Sequence, residues 1–227
     1  HKSRQLGLFT VQHSDTGPLK IEAGARYEHS KLTSSPDPAQ PQFFVGTRSF
    51  STFSASAGAT LEFTPGWKLG ANLSRTSRAP AGEELFAHGP HAGTQAFEIG
   101  DPDLKSERAW SIEAILRGSG EGFSFEAHAY YNWFSNFIYD DRTGDIEDGL
   151  PVYQMRQADA RTYGFEVQAS AVLARFGNWK LSADGLADYV HATITGTGAI
   201  PRHESGSRPE IGQPKRGHPH PDIEVSS

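Results

Sequence analysis

Apolar and polar residues alternate with period two along most of this chain. From Leu19 to Tyr27 the odd positions hold Leu19, Ile21, Ala23, Ala25 and Tyr27, and the even positions hold Lys20, Glu22, Gly24 and Arg26. A β-strand turns successive side chains to opposite faces, so this segment has one apolar face and one polar face. The same alternation runs through residues 53–63, 67–74, 123–131 and 165–171, and less regularly through 110–116 and 179–189. With a weaker segment at residues 6–13, the pattern predicts about eight strands. A short helical turn at Glu83-Glu84-Leu85-Phe86 is the one exception.

The connections between these segments alternate in length. Ser14 to Pro18, Pro65-Gly66, Gly118 to Gly122 and Arg175 to Asn178 are short; residues 31–48, 78–106 and 141–152 are long. Short-long alternation belongs to an up-and-down barrel in an outer membrane, with short turns on the inner side and long loops outside. A soluble β-sandwich has no reason to keep its long loops at one end. Aromatic residues gather near the predicted strand ends. Trp67 and Trp179 follow short turns, with Trp110 and Phe123 at or beside strand starts. Tyr27, Tyr130, Tyr131, Trp133, Phe134 and Tyr189 lie towards the opposite ends. Two aromatic belts of this kind hold a barrel at the two headgroup levels. The predicted fold class is therefore all-β: antiparallel, up-and-down transmembrane β-barrel strands.

Composition changes this picture in a few places. A mean hydropathy of -0.53 suggests a soluble protein, and no run of apolar residues is long enough for a transmembrane helix. Barrel strands alternate, however, and leave mean hydropathy low. His1 to Gln5 lacks an apolar segment, so no signal peptide is expected there. Zero Cys excludes a disulfide framework, a thiolate metal site and a Cys nucleophile. A net charge of -6 with no Lys/Arg run longer than a pair gives no nucleic-acid footprint. Gly-x-Ser-x-Gly, phosphate-loop and His-Glu-x-x-His motifs are all absent, which argues against an enzyme. The cluster Gly118-Ser119-Gly120-Glu121-Gly122 joins two strands and opens no helix, so it is a turn.

Three elements in the longest loop resemble a known family. They are Ser77-Arg78-Ala79-Pro80-Ala81-Gly82-Glu83-Glu84-Leu85-Phe86, Gly89-Pro90-His91, and Phe97-Glu98-Ile99-Gly100-Asp101-Pro102-Asp103-Leu104-Lys105-Ser106-Glu107. In this order they resemble the barrel of TonB-dependent outer-membrane receptors. Asn132 to Tyr139 and Tyr163-Gly164-Phe165-Glu166 are similar to two further signatures of that family, again in order. The segment Ala87-His88-Gly89-Pro90-His91-Ala92-Gly93-Thr94 resembles the zinc-uptake branch. The resemblance implies a bacterial outer-membrane location and a barrel of about 22 strands around a plug. It implies substrate binding by outer loops and plug, and energy delivered by a TonB-type transducer acting on the plug. Implied partners are therefore outer-membrane lipid, a plug domain and the remaining barrel strands, with the transducer reached only through the plug. Plug, energy-coupling box and most strands are not recognisable here, so the chain is expected to be an incomplete barrel. Residues 1–201 are read as partial barrel. Residues 202–227, where alternation stops, are read as a polar tail outside the family pattern and disordered.

Candidate chemistry concentrates in the same loop. His88 and His91 are the first metal-ligand candidates, since imidazole is a common zinc ligand. Glu83 and Glu84 in the same loop, and Asp140 and Asp141 in the next, are weaker ones. The competing reading makes them solvated loop residues. Pro90, Phe97, Glu98 and Asp101 are candidate substrate-loop residues. His128, between two alanines on a polar face, is a candidate lumen residue, with a hydrogen-bonded wall histidine as the plainer reading. His29 and His191 show no partner in the sequence, and His218-Pro219-His220 lies in the tail. Arg75 and Arg78 are expected to meet Glu83 and Glu84 across a bend, and Glu107 and Arg108 to fix loop geometry. The expected function is part of an active transporter with no resident cofactor. Zinc or another metal is the first cargo, and an iron-siderophore complex or haem the alternative. Readings of other classes are a soluble β-rich glycan-binding module and a small barrel hydrolase.

Overall fold

The computed structural model describes residues 2–35 and 43–195. Eight long strands follow the alternating segments: β1 (Lys2–Thr16), β2 (Leu19–Ser34), β3 (Gly46–Thr64), β4 (Trp67–Arg78), β7 (Glu107–Gly120), β8 (Phe123–Glu147), β9 (Leu150–Phe176) and β10 (Trp179–Ile194). Between β4 and β7 lie a helical turn, α1 (Gly82–Phe86), and two four-residue strands, β5 (His88–His91) and β6 (Ala96–Ile99). The long strands pair antiparallel with their sequence neighbours, in the order β1-β2-β3-β4-β7-β8-β9-β10. β6 adds parallel to β9, and β5 pairs with β6. Among the described residues the sheet is open.

Register carries the alternation across every strand. One row reads Leu19, Leu61, Leu69, Leu116, Ala127, Val167 and Ala187 from β2 to β10. The next reads Ile21, Ala59, Ala71, Ala114, Ala129, Phe165 and Tyr189. The opposite face carries Glu62, Lys68, Arg117, Glu126 and Gln168 side by side. Nothing among the described residues covers the apolar face: Leu69 is 52% exposed, Ile112 49% and Phe165 46%. An uncovered apolar sheet face this wide is matched to lipid, because in water it would be an aggregation surface. β1 fits least well. It places Leu6 and Leu8 on the apolar face but Phe9 and Val11 on the other.

The turns at the short ends follow from glycine. Pro65-Gly66 closes β3 onto β4 with Gly66 at φ 81°. A Cβ on Gly66 would meet the Ser119 carbonyl oxygen at 2.2 Å, and Ser119 N–H donates to Gly66 O at 2.8 Å. The neighbouring hairpin turns are thereby locked together at one rim.

Two expectations change at the other rim. Residues 141–152 are not a long loop. β8 and β9 continue through them to a tight turn at Asp148-Gly149, both at positive φ. At about 3.3 Å per residue, strands of 25 and 27 residues reach far beyond a hydrocarbon core of about 30 Å. Trp110 also moves: it pairs with Trp133 at the long-loop end, not the short-turn end.

A small hydrophobic core lies at that rim. Leu32, Phe50, Leu85, Phe86, Leu104, Ile138 and Met155 cluster there, with Leu85 and Leu104 each 1% exposed. Leu32 and Phe50 continue the polar-face positions of β2 and β3. Beyond the membrane, therefore, the inner face turns apolar, and the loop from β4 to β7 folds over it. Residues 202–227 and the His218-Pro219-His220 tract lie outside the described residues.

Candidate functional site

The loop over the inner rim is tied down by a charge cluster at its base. Arg78, the last residue of β4, pairs in register with Glu107, the first of β7. Its guanidinium donates to both Glu107 oxygens at 3.1 and 3.2 Å and to both Glu84 oxygens at 2.9 and 3.0 Å. One fork thus holds two carboxylates in the bidentate geometry that arginine favours. Burial of Arg78 works against its charge, but the hydrogen bonds from Glu84 and Glu107 outweigh it and raise the pKa above the ordinary arginine value. Glu84 also accepts the Ala81 N–H at 2.7 Å, which is half of a capping box for α1. Glu107 accepts the Ile138 N–H at 2.9 Å and so reaches β8.

The far end of the loop is fastened differently. Gly100 N–H donates to Ala87 O at 2.8 Å and Asp101 N–H to Glu84 O at 2.9 Å. A Cβ on Gly100 would lie 2.7 Å from the backbone of Leu85 and Phe86, so this contact requires glycine. The side chain of Asp101 accepts from Asp103 N–H at 2.8 Å, an Asx turn. The Gln157 amide on β9 accepts from Lys105 N–H at 2.8 Å and donates back to Lys105 O at 2.7 Å. Arg48 on β3 donates to Leu104 O at 3.1 Å. Gln157 and Arg48 carry no signal in the sequence, because their partners are about fifty residues away.

The β5–β6 hairpin presents the two candidate histidines. They do not act together. A spacing of three within a strand puts His88 and His91 on opposite faces, whereas the sequence reading treats them as one pair. The His88 ring stands edge-on to Phe97 at 5.5 Å and to Phe43 at 5.8 Å, on the face shared by Pro90. His91 lies on the other face, with its side chain 57% exposed. Its Nδ1 is 3.3 Å from Thr94 Oγ1 and 3.6 Å from Glu98 Oε1, and the Thr94 hydroxyl donates to Glu98 at 2.6 Å. Thr94 and Glu98 thus hold the ring by Nδ1, so Nε2 is the nitrogen presented to a ligand.

The other metal candidates are dispersed. Glu84 is taken up by Arg78, Asp141 pairs with Arg156 at 2.8 Å, Glu83 sits on α1, and Asp140 lies in register with Met155 on the β8–β9 extension. Among the described residues no three His, Asp or Glu side chains group to hold a metal ion. Arg75 does not meet Glu83; it donates to Phe53 O at 3.0 Å. His128 lies on the inner face between Glu113, at 3.2 Å from Nδ1, and Glu126, at 2.5 Å from Nε2, with Arg117 on the far side of Glu126. His29 meets Ser51 across the β2–β3 pair, and His191 meets Thr193 two residues along β10.

An open antiparallel sheet with an apolar outer face, a charged inner face and an inward-folded loop at one rim defines the wall of an outer-membrane barrel. The chain matches the model of the TonB dependent receptor-like β-barrel over residues 1–209, and it belongs to that family. The family is one of bacterial outer-membrane receptors and transporters, not enzymes, which sets aside the soluble glycan-binding and hydrolase readings. A similar curated protein is the hemoglobin-haptoglobin utilization protein B of Neisseria meningitidis serogroup C, 26% identical over 201 residues, 78% of this chain and 24% of that protein. The chain thus spans about a quarter of the length of the curated relatives it matches. Among solved structures, the copper transporter OprC is similar at TM-score 0.69 and 20% identity, over 85% of this chain and 29% of that one. The FrpB iron transporter of Neisseria meningitidis is similar at TM-score 0.59 and 18% identity, over 85% of this chain and 26% of that one. At these identities the structural likeness speaks for the fold.

Proposed function

We propose that this chain forms barrel wall and outer loops of a TonB-dependent receptor for an iron-bearing nutrient, with haem as the first cargo. A ferric-siderophore complex is the next reading, and zinc moves behind both. The observation that carries the proposal is the single anchored histidine on the β5–β6 hairpin. Zinc asks for three or four protein ligands in tetrahedral array, and among the described residues His91 and Glu98 have no third His, Asp or Glu beside them. Haem iron takes one axial imidazole, commonly held at its other nitrogen by a hydrogen bond. His91 meets that description, with Thr94 and Glu98 behind Nδ1. The name of the haemoglobin-haptoglobin relative supports the same cargo class. In this proposal β1–β4 and β7–β10 serve as wall, energy transduction and the plug belong to the wider assembly, and Pro90 and Asp101 lie in the loop that meets the cargo, while Phe97, 4% exposed, packs inside it.

Haem titration of the full polypeptide in detergent, read in the Soret band, tests the assignment. His91→Ala is expected to weaken binding by about tenfold or more, the equivalent of about 1.4 kcal/mol, while His88→Ala keeps near-parental affinity. Parental haem affinity in His91→Ala would remove the histidine from the site. Zinc binding that disappears with either variant would restore the metal reading.

A further inference from the structure

The face of the β5–β6 hairpin that carries His91 does not end at β6. Ladder partners share a face, and the register runs Gly89, Glu98, Tyr153, Arg142 across β5, β6, β9 and β8. The neighbouring row holds His91 and Ala96 on the hairpin, then Pro151 and Ile146 on the β8–β9 extension. His91 and Arg142 thus stand at opposite sides of one four-stranded platform. Residues 143–145 bulge out of β8, with Gly144 at φ 94°, and Arg142 and Ile146 on either side of the bulge keep the same face.

The platform is polar at its two sides and apolar between them. Ile146 is 73% exposed, with Pro151 as its partner on β9. Tyr153 lies half-buried between Glu98 and Arg142. Arg142 is exposed, and no carboxylate among the described residues stands within ion-pair distance of it. Two acids share its face. Glu98 is turned to Thr94 and His91, and Asp140 lies further from His91 along β8, in register with Met155. The ion pair of Asp141 with Arg156 belongs to the opposite face. Arg142 is therefore the only lysine or arginine on the platform among the described residues. At about 4.8 Å per strand, β5 and β8 stand about 14 Å apart. An arginine side chain and the half-width of a macrocycle together cover that span.

A flat tetrapyrrole with its iron over His91 lies along this platform and brings its ring over Ile146 and Pro151. Its propionate carboxylates leave from one edge only. Carboxylates held against an apolar surface need a cation, and the guanidinium fork of arginine matches a carboxylate. We infer that Arg142 receives the propionate edge of the haem, and that it selects a tetrapyrrole carrying carboxylates over one without them. The inference rests on the haem reading of His91. It makes the β8–β9 extension the second half of the cargo seat.

The test titrates haem and haem dimethyl ester, whose carboxylates are blocked, into the full polypeptide in detergent. The parent is expected to bind haem about fivefold or more tightly than the ester. Arg142→Gln should weaken haem binding about tenfold, leave the ester near its parental affinity and keep the parental Soret position. Arg142→Lys should recover part of the haem affinity. Arg156→Gln makes the same change of charge on the opposite face and should bind both compounds as the parent does. A merely structural loss would weaken haem and ester alike, so the two ligands and the Arg142 variant form a cycle that isolates the contact. Equal affinity of the parent for haem and ester would overturn the inference and needs no variant to fold. So would undiminished haem binding by Arg142→Gln, an equal loss of both compounds, or the same selective loss in Arg156→Gln. Each of those results leaves His91 as the iron ligand. Parental haem affinity in His91→Ala, or no haem binding by the parent, would remove the haem reading and this inference together.

Discussion

Arg78→Ala is expected to free the loop between β4 and β7 while leaving the sheet intact. The substitution removes four hydrogen bonds at once and strands Glu84 and Glu107, whose side chains are only 13% and 12% exposed. Breaking a buried pair from one side costs about 3–5 kcal/mol. Arg78 is itself 44% exposed, so solvent screening brings the expected loss to about 2 kcal/mol. The loss falls on a local unit, because the Arg78 cluster joins the loop to the extreme ends of β4 and β7, and the rest of those strands is held by its own backbone ladder. Hydrogen exchange should show faster amide exchange at residues 82–104 with strand amides in β4 and β7 unchanged, and cargo affinity should fall with it. Arg78→Lys should recover little, since a lysine ammonium cannot span two bidentate carboxylates.

The second large effect concerns the lipid face. Ala129 lies at mid-height on the outward row between Ala114 and Phe165. Ala129→Arg puts a guanidinium against the middle of the hydrocarbon and should cost about 2–4 kcal/mol of folding stability. Asn72→Arg sits at similar height on the inner face, in register with Glu113, and should change stability by about 0.5 kcal/mol or less. Urea unfolding of the two variants in lipid vesicles reads the difference. Equal costs would mean that the two faces meet the same solvent.

Much of the wall is legible in the sequence because its determinants are local. Strand period, turn glycines such as Gly66, and the apolar identity of Leu69, Ile112 and Phe165 all act within a few residues. Glu83 to Phe86 announces its own helical turn, and the Arg78–Glu84 pair lies within reach across one bend. What the sequence hides depends on distant partners. Gln157 and Arg48 look like ordinary strand residues until the fold brings Lys105 and Leu104 to them. The polar run from Asp140 to Asp148 lacks apolar alternation because no lipid borders it, and it resembles a loop although β9 pairs it into a hairpin. The histidines mislead for a related reason. A spacing of three suits a helix or a free loop, but β5 makes it a strand and parts the two rings.

The placement of the sheet between lipid and lumen underlies every assignment above, and one scan tests it directly. The chain has no cysteine, so single cysteines can be placed in turn at residues 126–132 on β8 and 162–168 on β9. Each carries a nitroxide label, in the full polypeptide in outer-membrane vesicles. Collision with oxygen, which concentrates in lipid, should peak at 127, 129, 131, 163, 165 and 167. Collision with a water-soluble paramagnetic reagent should peak at the residues between them. Two profiles with period two and opposite phase are the predicted result. Profiles that rise and fall together, or that favour water at both parities, would contradict a membrane-embedded barrel wall.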